Sequence, residues 1–474
     1  MPVSQRLDLL KKLEYSFNYA SFSHKERIGF PGRFIPSYDL QGGVFVQGRH
    51  GTGTLYKTFG VNAYKLPSPL DIQNSGNSIS WKLPDLERPS QDLSLDASQD
   101  LLVLVEGDGQ IDAPVMLHFM SLTTGKGHPF SAGSYLVPSQ NTTRAASSFV
   151  FNIMGPFVGL LWGHLKYIVC NWKTGKTHVE ISTSFRDPID SSFFLDQERF
   201  ALIRGRRNPV EIEIYKFITH EDSPQNTACT AIYHLPINGL YRMRGVYCRS
   251  DPSPMIGTMG SNAAYSVKPF TPRLEDRAIV IDIMLHTDDS SPDTYLVVVR
   301  GETLMNVPEA AKTDNGIYII GSELWMHQTY SESTTLRDNW ACFVYGSRFI
   351  KISRVENGRA GDDEEDEEYS QKMEVTIMDI NPRLVAWAEA KGCSTTPYAE
   401  GCHGPFNRTI SRPVSPTGKA ILGQARSKLS VIATRFTAED LKVQNIGRFA
   451  AMLDGERFIA LYMHGSYYMD VYSM

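Results

Sequence analysis

The sequence is poor in features typical of secreted, membrane-bound or nucleic-acid-binding proteins. Its six cysteines include no Cys-x-x-Cys pair, and scattered thiols are typical of a reducing compartment. The first twelve residues lack the uninterrupted apolar stretch of a secretory signal, and no apolar run approaches the ~20 residues that span a bilayer. The 47 basic and 52 acidic residues almost cancel, so no global field attracts nucleic acid or anionic lipid. We therefore expect a soluble protein of the cytoplasm, the nucleus or both, without membrane or nucleic-acid partners.

Local motifs of catalysis and metal binding are also missing. The sequence has no G-x-S-x-G nucleophile elbow, and its nearest match to a phosphate-binding loop, ending at 175–177, has Cys170 where the first glycine is required. The twelve histidines never pair at the spacing of a local metal site, and the trio Cys393, Cys402 and His403 lacks a fourth ligand, which favours a free-thiol loop. We predict no catalytic residue, no metal and no cofactor, although folding can assemble acids and bases from distant segments.

Two histidines, His118 and His164, lie in apolar, strand-rich segments. An imidazole in such surroundings is most often held by hydrogen bonds for structural reasons. We interpret both as structural histidines.

What the sequence does contain is a series of short β-branched and aromatic runs separated by turn residues. The chain is 42% hydrophobic and 11% aromatic, with 37 glycines and 26 prolines, which fits a folded protein with many turns. One hairpin pattern recurs: residues 195–202 are echoed by 453–460, each an apolar run, a tight polar turn and a second apolar run. Weaker copies occur at 95–105, 154–162 and 343–352, and two less regular ones at 43–59 and 279–299.

Several of these hairpins are followed by a third run that ends in a Thr-Gly turn, as at 121–125 and 171–175. Gly125 and Gly175 lie 50 residues apart, close to the ~40–50 residues of one blade of a β-propeller. A four-stranded unit exposes an apolar face that only a neighbouring unit covers, and a closed ring covers all of them. We therefore predict an all-β chain, a β-propeller of about seven four-stranded blades with a short N-terminal helix.

The predicted domains are a helical lead over residues 1–30 and a propeller over 31–474. The lead is inferred from four apolar residues that recur at close to helical spacing before Gly29: Leu7, Leu10, Leu13 and Phe17. A second helix is indicated only near 437–445. Irregular insertions rich in loop-forming residues are predicted near three ranges: 219–277, 356–371 and 391–426.

Two charged segments are candidate contact sites. The seven consecutive carboxylates at 362–368 repel one another and resist burial, which favours a solvated loop over a docking tail for a basic partner. The cluster Arg204, Arg206 and Arg207 follows a repeat hairpin, and its guanidiniums suit phosphate or a carboxylate-rich peptide. The balanced charge of the chain favours a solvated turn there instead. These three arginines remain the candidate partner-binding residues.

Four segments together resemble the C-terminal region of mushroom-type fungal F-box proteins, over nearly the whole chain: 4–10, 93–105, 122–125 and 171–175. The resemblance implies an N-terminal F-box that engages the adaptor of a cullin-based ubiquitin ligase and a propeller-like remainder that presents a substrate. The F-box itself is missing, and Phe17 and Tyr19 stand where a tryptophan is expected. Adaptor binding therefore carries over to no residue here. An upstream truncation and an F-box-less relative both remain open.

The leading functional prediction is a non-enzymatic protein-interaction module, resembling the substrate-binding region of an F-box ubiquitin-ligase receptor. Its partner is a protein substrate, with a ligase adaptor only if an upstream F-box exists. One alternative is a propeller enzyme with a central-channel active site, which requires acidic, basic or histidine side chains converging with perturbed pKa values. Another is a structural scaffold.

Overall fold

The structure is a computed structural model. Strands dominate it, which confirms the prediction of a mostly β chain. It describes these parts of the chain: 2–19, 22–31, 37–50, 57–68, 78–87, 89–107, 114–137, 148–217, 227–237, 242–253, 272–286, 293–334, 342–355, 372–390, 408–411, 429–437, 449–464 and 466–473.

The predicted N-terminal helix is present as α1 (Val3–Tyr19). Its second half is amphipathic and places Leu13 and Phe17 in the core. The guanidinium of Arg348 lies 4.5 Å from the centre of the Phe17 ring and 2.7 Å from a carboxylate oxygen of Glu14. One turn of the helix is therefore fixed to the sheets by both apolar and charged contacts.

Most strands form antiparallel groups of four in which neighbours along the chain are neighbours in the sheet. The first and second groups share one sheet through the single residue pair Thr58–Ser90. The groups are: first, β2 (Tyr38–Gln41), β3 (Val44–His50), β4 (Thr58–Lys65) and β5 (Ile79–Lys82); second, β6 (Ser90–Asp96), β7 (Leu101–Glu106), β8 (Val115–Ser121) and β9 (Tyr135–Val137); third, β10 (Phe149–Met154), β11 (Phe157–Trp162), β12 (Lys166–Asn171) and β13 (Lys176–Ser182); fourth, β14 (Ser191–Phe194), β15 (Arg199–Arg204), β16 (Val210–Lys216) and β17 (Ala228–Leu235); fifth, β18 (Arg242–Arg249), β19 (Ala278–His286), β20 (Asp293–Arg300) and β22 (Thr329–Thr334); sixth, β23 (Val344–Tyr345), β24 (Arg348–Val355), β25 (Lys372–Asp379) and β27 (Val431–Thr437); seventh, β28 (Phe449–Leu453), β29 (Arg457–His464), β30 (Ser466–Ser473) and β1 (His24–Gly29).

Two connections that follow the third strand of a group carry additional elements. Between β20 and β22 lie α2 (Gly301–Met305), α3 (Ser322–Trp325) and β21 (Tyr318–Ile320), which pairs parallel with β17. Between β25 and β27 lie α4 (Pro382–Ala390) and β26 (Arg408–Ser411), which pairs with β27. These elements were not predicted. The edge strands β21 and β26 have only three and four residues, and such a strand is defined by its partner rather than by its own sequence.

The irregular insertions predicted from composition fall partly on strands and partly outside the described residues. Residues 219–277 contain β17 and β18. Residues 356–371 lie outside the described part of the chain, as do most of 391–426 and nearly all of 437–445.

The recurring hairpin of the sequence is the joint between the first two strands of a group. Residues 195–202 and 453–460 span the β14–β15 and β28–β29 turns, and the copies in the second, third and sixth groups have the same role. The two least regular copies instead join second and third strands, β3–β4 and β19–β20. The Thr-Gly turns do follow third strands, β8 and β12, with Gly125 and Gly175 at φ values of +66° and +71° that favour glycine.

The groups contact one another in chain order, and the last contacts the first. The first strands β2, β6, β10, β14 and β18 touch in succession, and β23 contacts both β19 and β28. An apolar cluster that joins Leu40 and Phe45 of the first group to Met452 and Ile459 of the seventh completes the circuit. Each group therefore covers an apolar face of the next, which is the physical reason that favoured a ring.

Strand β1 was not predicted because its sequence, HKERIG, is mostly polar. It is a strand because it pairs along its whole length with β30. The buried carboxylate of Asp470 accepts from Arg27 Nε at 2.7 Å and Nη2 at 2.9 Å and lies 3.1 Å from Lys25 Nζ. The Arg27 guanidinium also lies 4.2 Å from the centre of the Tyr468 ring. Ion pairs and a cation–π contact thus join the two ends of the fold.

Candidate functional site

Polar side chains from several groups converge where the first strands meet. Asp39 on β2 accepts a hydrogen bond from Ser94 Oγ on β6 at 2.8 Å and from the Leu95 N–H at 3.1 Å. Cys342, just before β23, places its Sγ 3.6 Å from the other oxygen of Asp39. Side chains of the first, second and sixth groups therefore contact one another directly.

Two further carboxylates and one arginine belong to this central cluster, defined here as Asp39, Asp92, Arg249, Asp251 and Cys342. Asp92 on β6 interacts electrostatically with Asp39 and Arg249, and Asp251, just after β18, interacts with the same two residues. All four charged members are half-buried, so water reaches them although they lie among packed sheets.

Burial dominates the electrostatics of the central cluster. The pKa of Asp92 is raised to about 7, mainly by burial and in part by the charge of Asp39, against the lowering effects of the Leu93 N–H and Arg249. Burial likewise raises the pKa of Asp251 to about 6. The pKa of Asp39 is raised by burial and lowered by its hydrogen bonds, first of all that from Ser94. Asp92 and Asp251 can therefore exchange protons near neutral pH, a property typical of general acids and bases.

Sequence reasoning missed the central cluster because its members lie far apart along the chain. A local signal existed in the segment 92–95, where Asp92 and Ser94 alternate with the buried Leu93 and Leu95. This alternation turns one polar face of β6 away from the sheet interface. In the described part of the chain, no three His, Cys, Asp or Glu side chains are placed to hold a metal ion.

Of the predicted arginines, Arg204 is buried inside the fourth group. Its Nε donates to Glu213 Oε2 at 2.8 Å, and its Nη1 donates to the Asp187 carbonyl at 3.0 Å. Burial tends to lower the pKa of Arg204, but the bond to Glu213 and nearby carboxylates raise it overall. This guanidinium is therefore committed to the fold.

Arg207 is also engaged within the chain. Its Nε donates to Asp187 Oδ1 at 2.8 Å and its Nη1 to Glu213 Oε1 at 2.8 Å, with Glu211 as a further partner. The bond to Asp187 is the main cause that raises the pKa of Arg207 and lowers that of Asp187. The cluster is thus an internal ion-pair network.

Arg206 differs from its two neighbours because it is exposed, in the turn between β15 and β16. Its Nη1 donates to the Phe185 carbonyl at 3.2 Å, and the Phe185 side chain is itself 40% exposed. Of the three predicted contact residues, Arg206 alone presents a guanidinium to solvent beside an exposed aromatic ring.

Both histidines interpreted as structural are hydrogen-bonded. His164 Nδ1 lies 3.0 Å from the Ile189 carbonyl, and His118 contacts Glu106 and Ser134. The acidic run 362–368 and the trio Cys393, Cys402 and His403 fall outside the described residues. No helix among the described residues has the length and apolar character needed to cross a bilayer.

Comparisons with known proteins identify no family. No family model matches the chain, and no curated protein matches it. Among solved structures, it is similar to the N-terminal domain of Nup159, with 8% identity over 95% of each chain and a TM-score of 0.36. It is also similar to KlHsv2 with loop 6CD replaced by a Gly-Ser linker, with 12% identity over 64% of this chain and 72% of that one and a TM-score of 0.31. At these low TM-scores neither structure supplies a function for this chain.

Proposed function

We propose that the chain is a β-propeller of seven four-stranded blades and that it works as a protein-interaction module. In this proposal the first to seventh groups are the blades, and β1 is the outer strand of the last. The cyclic contacts between groups and the pairing of β1 with β30 support it, because closure leaves few open sheet edges.

The proposed function rests on the face of the ring from which the connections between second and third strands emerge. In a ring of antiparallel four-stranded blades, all connections between second and third strands open on one face. The β15–β16 connection carries the exposed Arg206, and the β24–β25 connection spans the acidic run 362–368. The exposed Arg206 guanidinium, beside the exposed Phe185 ring, suits the recognition of a polar protein segment.

The resemblance to F-box receptors supports one form of this proposal. The loop face then binds a protein substrate of a ubiquitin ligase, with the Arg206 guanidinium receiving a substrate carboxylate. The adaptor joins only if the gene encodes an F-box upstream.

The test is affinity purification of the tagged full chain with cross-linking mass spectrometry. We expect partner peptides cross-linked near the β15–β16 turn and at least a several-fold loss of recovery for Arg206→Glu. The matched control is Arg273→Glu, because Arg273 is exposed but lies in the β18–β19 connection, on the opposite face of the proposed ring. Equal effects of the two variants, or none, contradict the loop-face assignment. Co-purified cullin and adaptor favour a ligase receptor, whereas a stoichiometric complex without them favours a scaffold.

A second function, an enzyme with a central active site, is favoured by the carboxylates of the central cluster with raised pKa values. Its test is a thermal-shift screen of small metabolites. A genuine central ligand loses its shift in Asp92→Asn and keeps it in Asp96→Asn, at a turn. A shift that both variants retain places the ligand elsewhere.

A further inference from the structure

One hydrogen-bonded relay lies outside the central cluster and the loop face, in the second group. His118 Nε2 lies 2.7 Å from Glu106 Oε2, and His118 Nδ1 lies 2.9 Å from Ser134 Oγ. The side chains of His118 and Glu106 are 32% and 19% exposed, and Ser134 is exposed. The relay is therefore within reach of molecules in solution.

The sheet register explains why these side chains meet. Glu106 on β7 faces Met116 on β8, and Met116 faces Leu136 on β9. Residues opposite each other, and residues two apart on one strand, share a face of the sheet. His118 follows Met116 by two positions and Ser134 precedes Leu136 by two, so all three relay members emerge on the same face.

The chemistry of the partners determines which atom donates the proton in each of the two hydrogen bonds. An ionised carboxylate only accepts hydrogen bonds, so the proton of a neutral His118 is assigned to Nε2, which donates to Glu106. Nδ1 is then an acceptor and receives the hydroxyl proton of Ser134. A hydroxyl bonded to a base that is oriented by a third group is the arrangement that activates a serine nucleophile.

The surroundings of Ser134 leave room for a substrate. No heavy atom outside the adjoining residues lies within 4 Å of the position that a Cβ on Gly133 would occupy. Two large apolar side chains nearby are unusually exposed, Leu136 at 52% and Phe130 at 70%. An open approach beside apolar side chains suits a substrate with an apolar acyl or aryl group.

We propose that Ser134 is a nucleophile toward activated carboxylic esters, with His118 as its general base and Glu106 as a positioning residue. Ser134 Oγ forms a bond to the ester carbonyl carbon while its proton passes to His118 Nδ1. The bond to the leaving oxygen then breaks, and His118 returns the proton to the departing alcohol. Water, deprotonated by His118, hydrolyses the acyl-serine and restores the hydroxyl. The proposal does not depend on the proposed interaction function.

A hydrogen bond of the Gly133 N–H, next to Ser134, limits which substrates can react. The Gly133 N–H donates to Ser131 Oγ at 3.0 Å and so is not offered to a developing oxyanion. One such donor is worth ~10²–10³ in rate. We therefore expect the protein to hydrolyse esters with good leaving groups and not to hydrolyse amides.

The test uses a fluorophosphonate probe on the full-length protein, with the labelled residue located by mass spectrometry. Labelling forms an Oγ–phosphorus bond, releases fluoride and requires loss of the hydroxyl proton. We expect modification at Ser134, none in Ser134→Ala, and undiminished labelling in Ser98→Ala. Ser98 is the matched control, an exposed serine whose hydroxyl bonds a carboxylate, Asp96, without a histidine.

The roles of the other two members are separated by kinetics. His118→Ala is expected to slow labelling by ~10²-fold or more. Glu106→Gln should lower the maximal labelling rate without changing the concentration for half-saturation, and Glu106→Asp should restore part of it. Labelling of Ser134 no faster than that of Ser98, or a rate insensitive to His118→Ala, overturns the proposal. Circular dichroism of each variant identifies any that fails to fold, and the Ser134–Ser98 comparison within the wild-type protein stands without variants.

Discussion

At the residue scale, Asp92 lies half-buried beside Asp39 and Arg249, and its pKa is raised to about 7, mainly by burial. Because the folded state raises this pKa above the ordinary value of an aspartate, the ionised carboxylate opposes folding. This cost is absent in strong acid, grows as the pH passes the ordinary value and is complete above about pH 7. We therefore expect Asp92 to oppose folding more in alkali than in mild acid.

We predict that Asp92→Asn, which keeps the shape and the acceptor for the Leu93 N–H, stabilises the protein more at pH 8 than at pH 5. Allowing for screening at a half-buried site, the difference should be about 1–2 kcal/mol. Thermal unfolding at the two pH values measures it. Asp8→Asn, on the exposed side of α1, is the control and should show no such difference. An equal gain at both pH values would mean that Asp92 titrates normally.

Arg204 and Arg206 lie two positions apart but differ in burial: Arg204 is buried and Arg206 is exposed. Arg204→Met leaves the buried Glu213 carboxylate without one of its two arginine partners and should destabilise the fold by about 3–5 kcal/mol. Arg206→Met removes only an exposed contact and should change stability by less than about 0.5 kcal/mol. Urea unfolding distinguishes the two. Similar losses for both variants would show that the cluster is not divided as its hydrogen bonds indicate.

At the element scale, the second half of α1 places Leu13 and Phe17 in the core. Phe17→Ala should cost about 3–5 kcal/mol because the ring is buried in the core. Leu7→Ala should be nearly neutral, since Leu7 is 48% exposed. Chemical denaturation of the two variants is the measurement. A large loss for Leu7→Ala would mean that the first half of the helix also packs.

One buried acidic residue of β30, Asp470, reinforces the pairing of β1 with β30. Asp470→Asn removes the charge that binds Arg27 and Lys25, and we expect a loss of about 2–4 kcal/mol. These two cations outweigh burial and lower the pKa of Asp470, so its contribution is present above the ordinary aspartate value and is lost as the pH falls below it. Hydrogen exchange should show faster exchange in residues 24–29. The control, His24→Gln at the exposed start of β1, should retain full protection.

The elements differ in how far the sequence predicts them. The hairpins were predictable because a turn such as 196–199 is a local device, in which Asp196 Oδ1 accepts the Glu198 N–H at 2.9 Å. Strands β1 and β21 were not, since each is defined by a distant partner, 443 residues away for Arg27 and Asp470. The same separation hid the central cluster, and it hid the carboxylate partners of the arginine cluster, which lie on other strands or loops.

At the scale of the whole molecule, contacts between successive groups join the seven groups of strands. Among the described residues, contacts pass from each group to the next and return to the first, so each group packs against two neighbours. Opening the ring at β1 would expose both the seventh and the first groups. We therefore expect the two ends of the chain to unfold together with the sheets between them.

The most direct test of this account is a crystal structure of the full chain. We predict seven groups of four antiparallel strands around a central channel, with β1 as the outer strand of the group formed by β28, β29 and β30, and with Asp39, Asp92 and Asp251 facing the channel. A different number of such groups, or a β1 that leaves β30 unpaired, would contradict the closed ring.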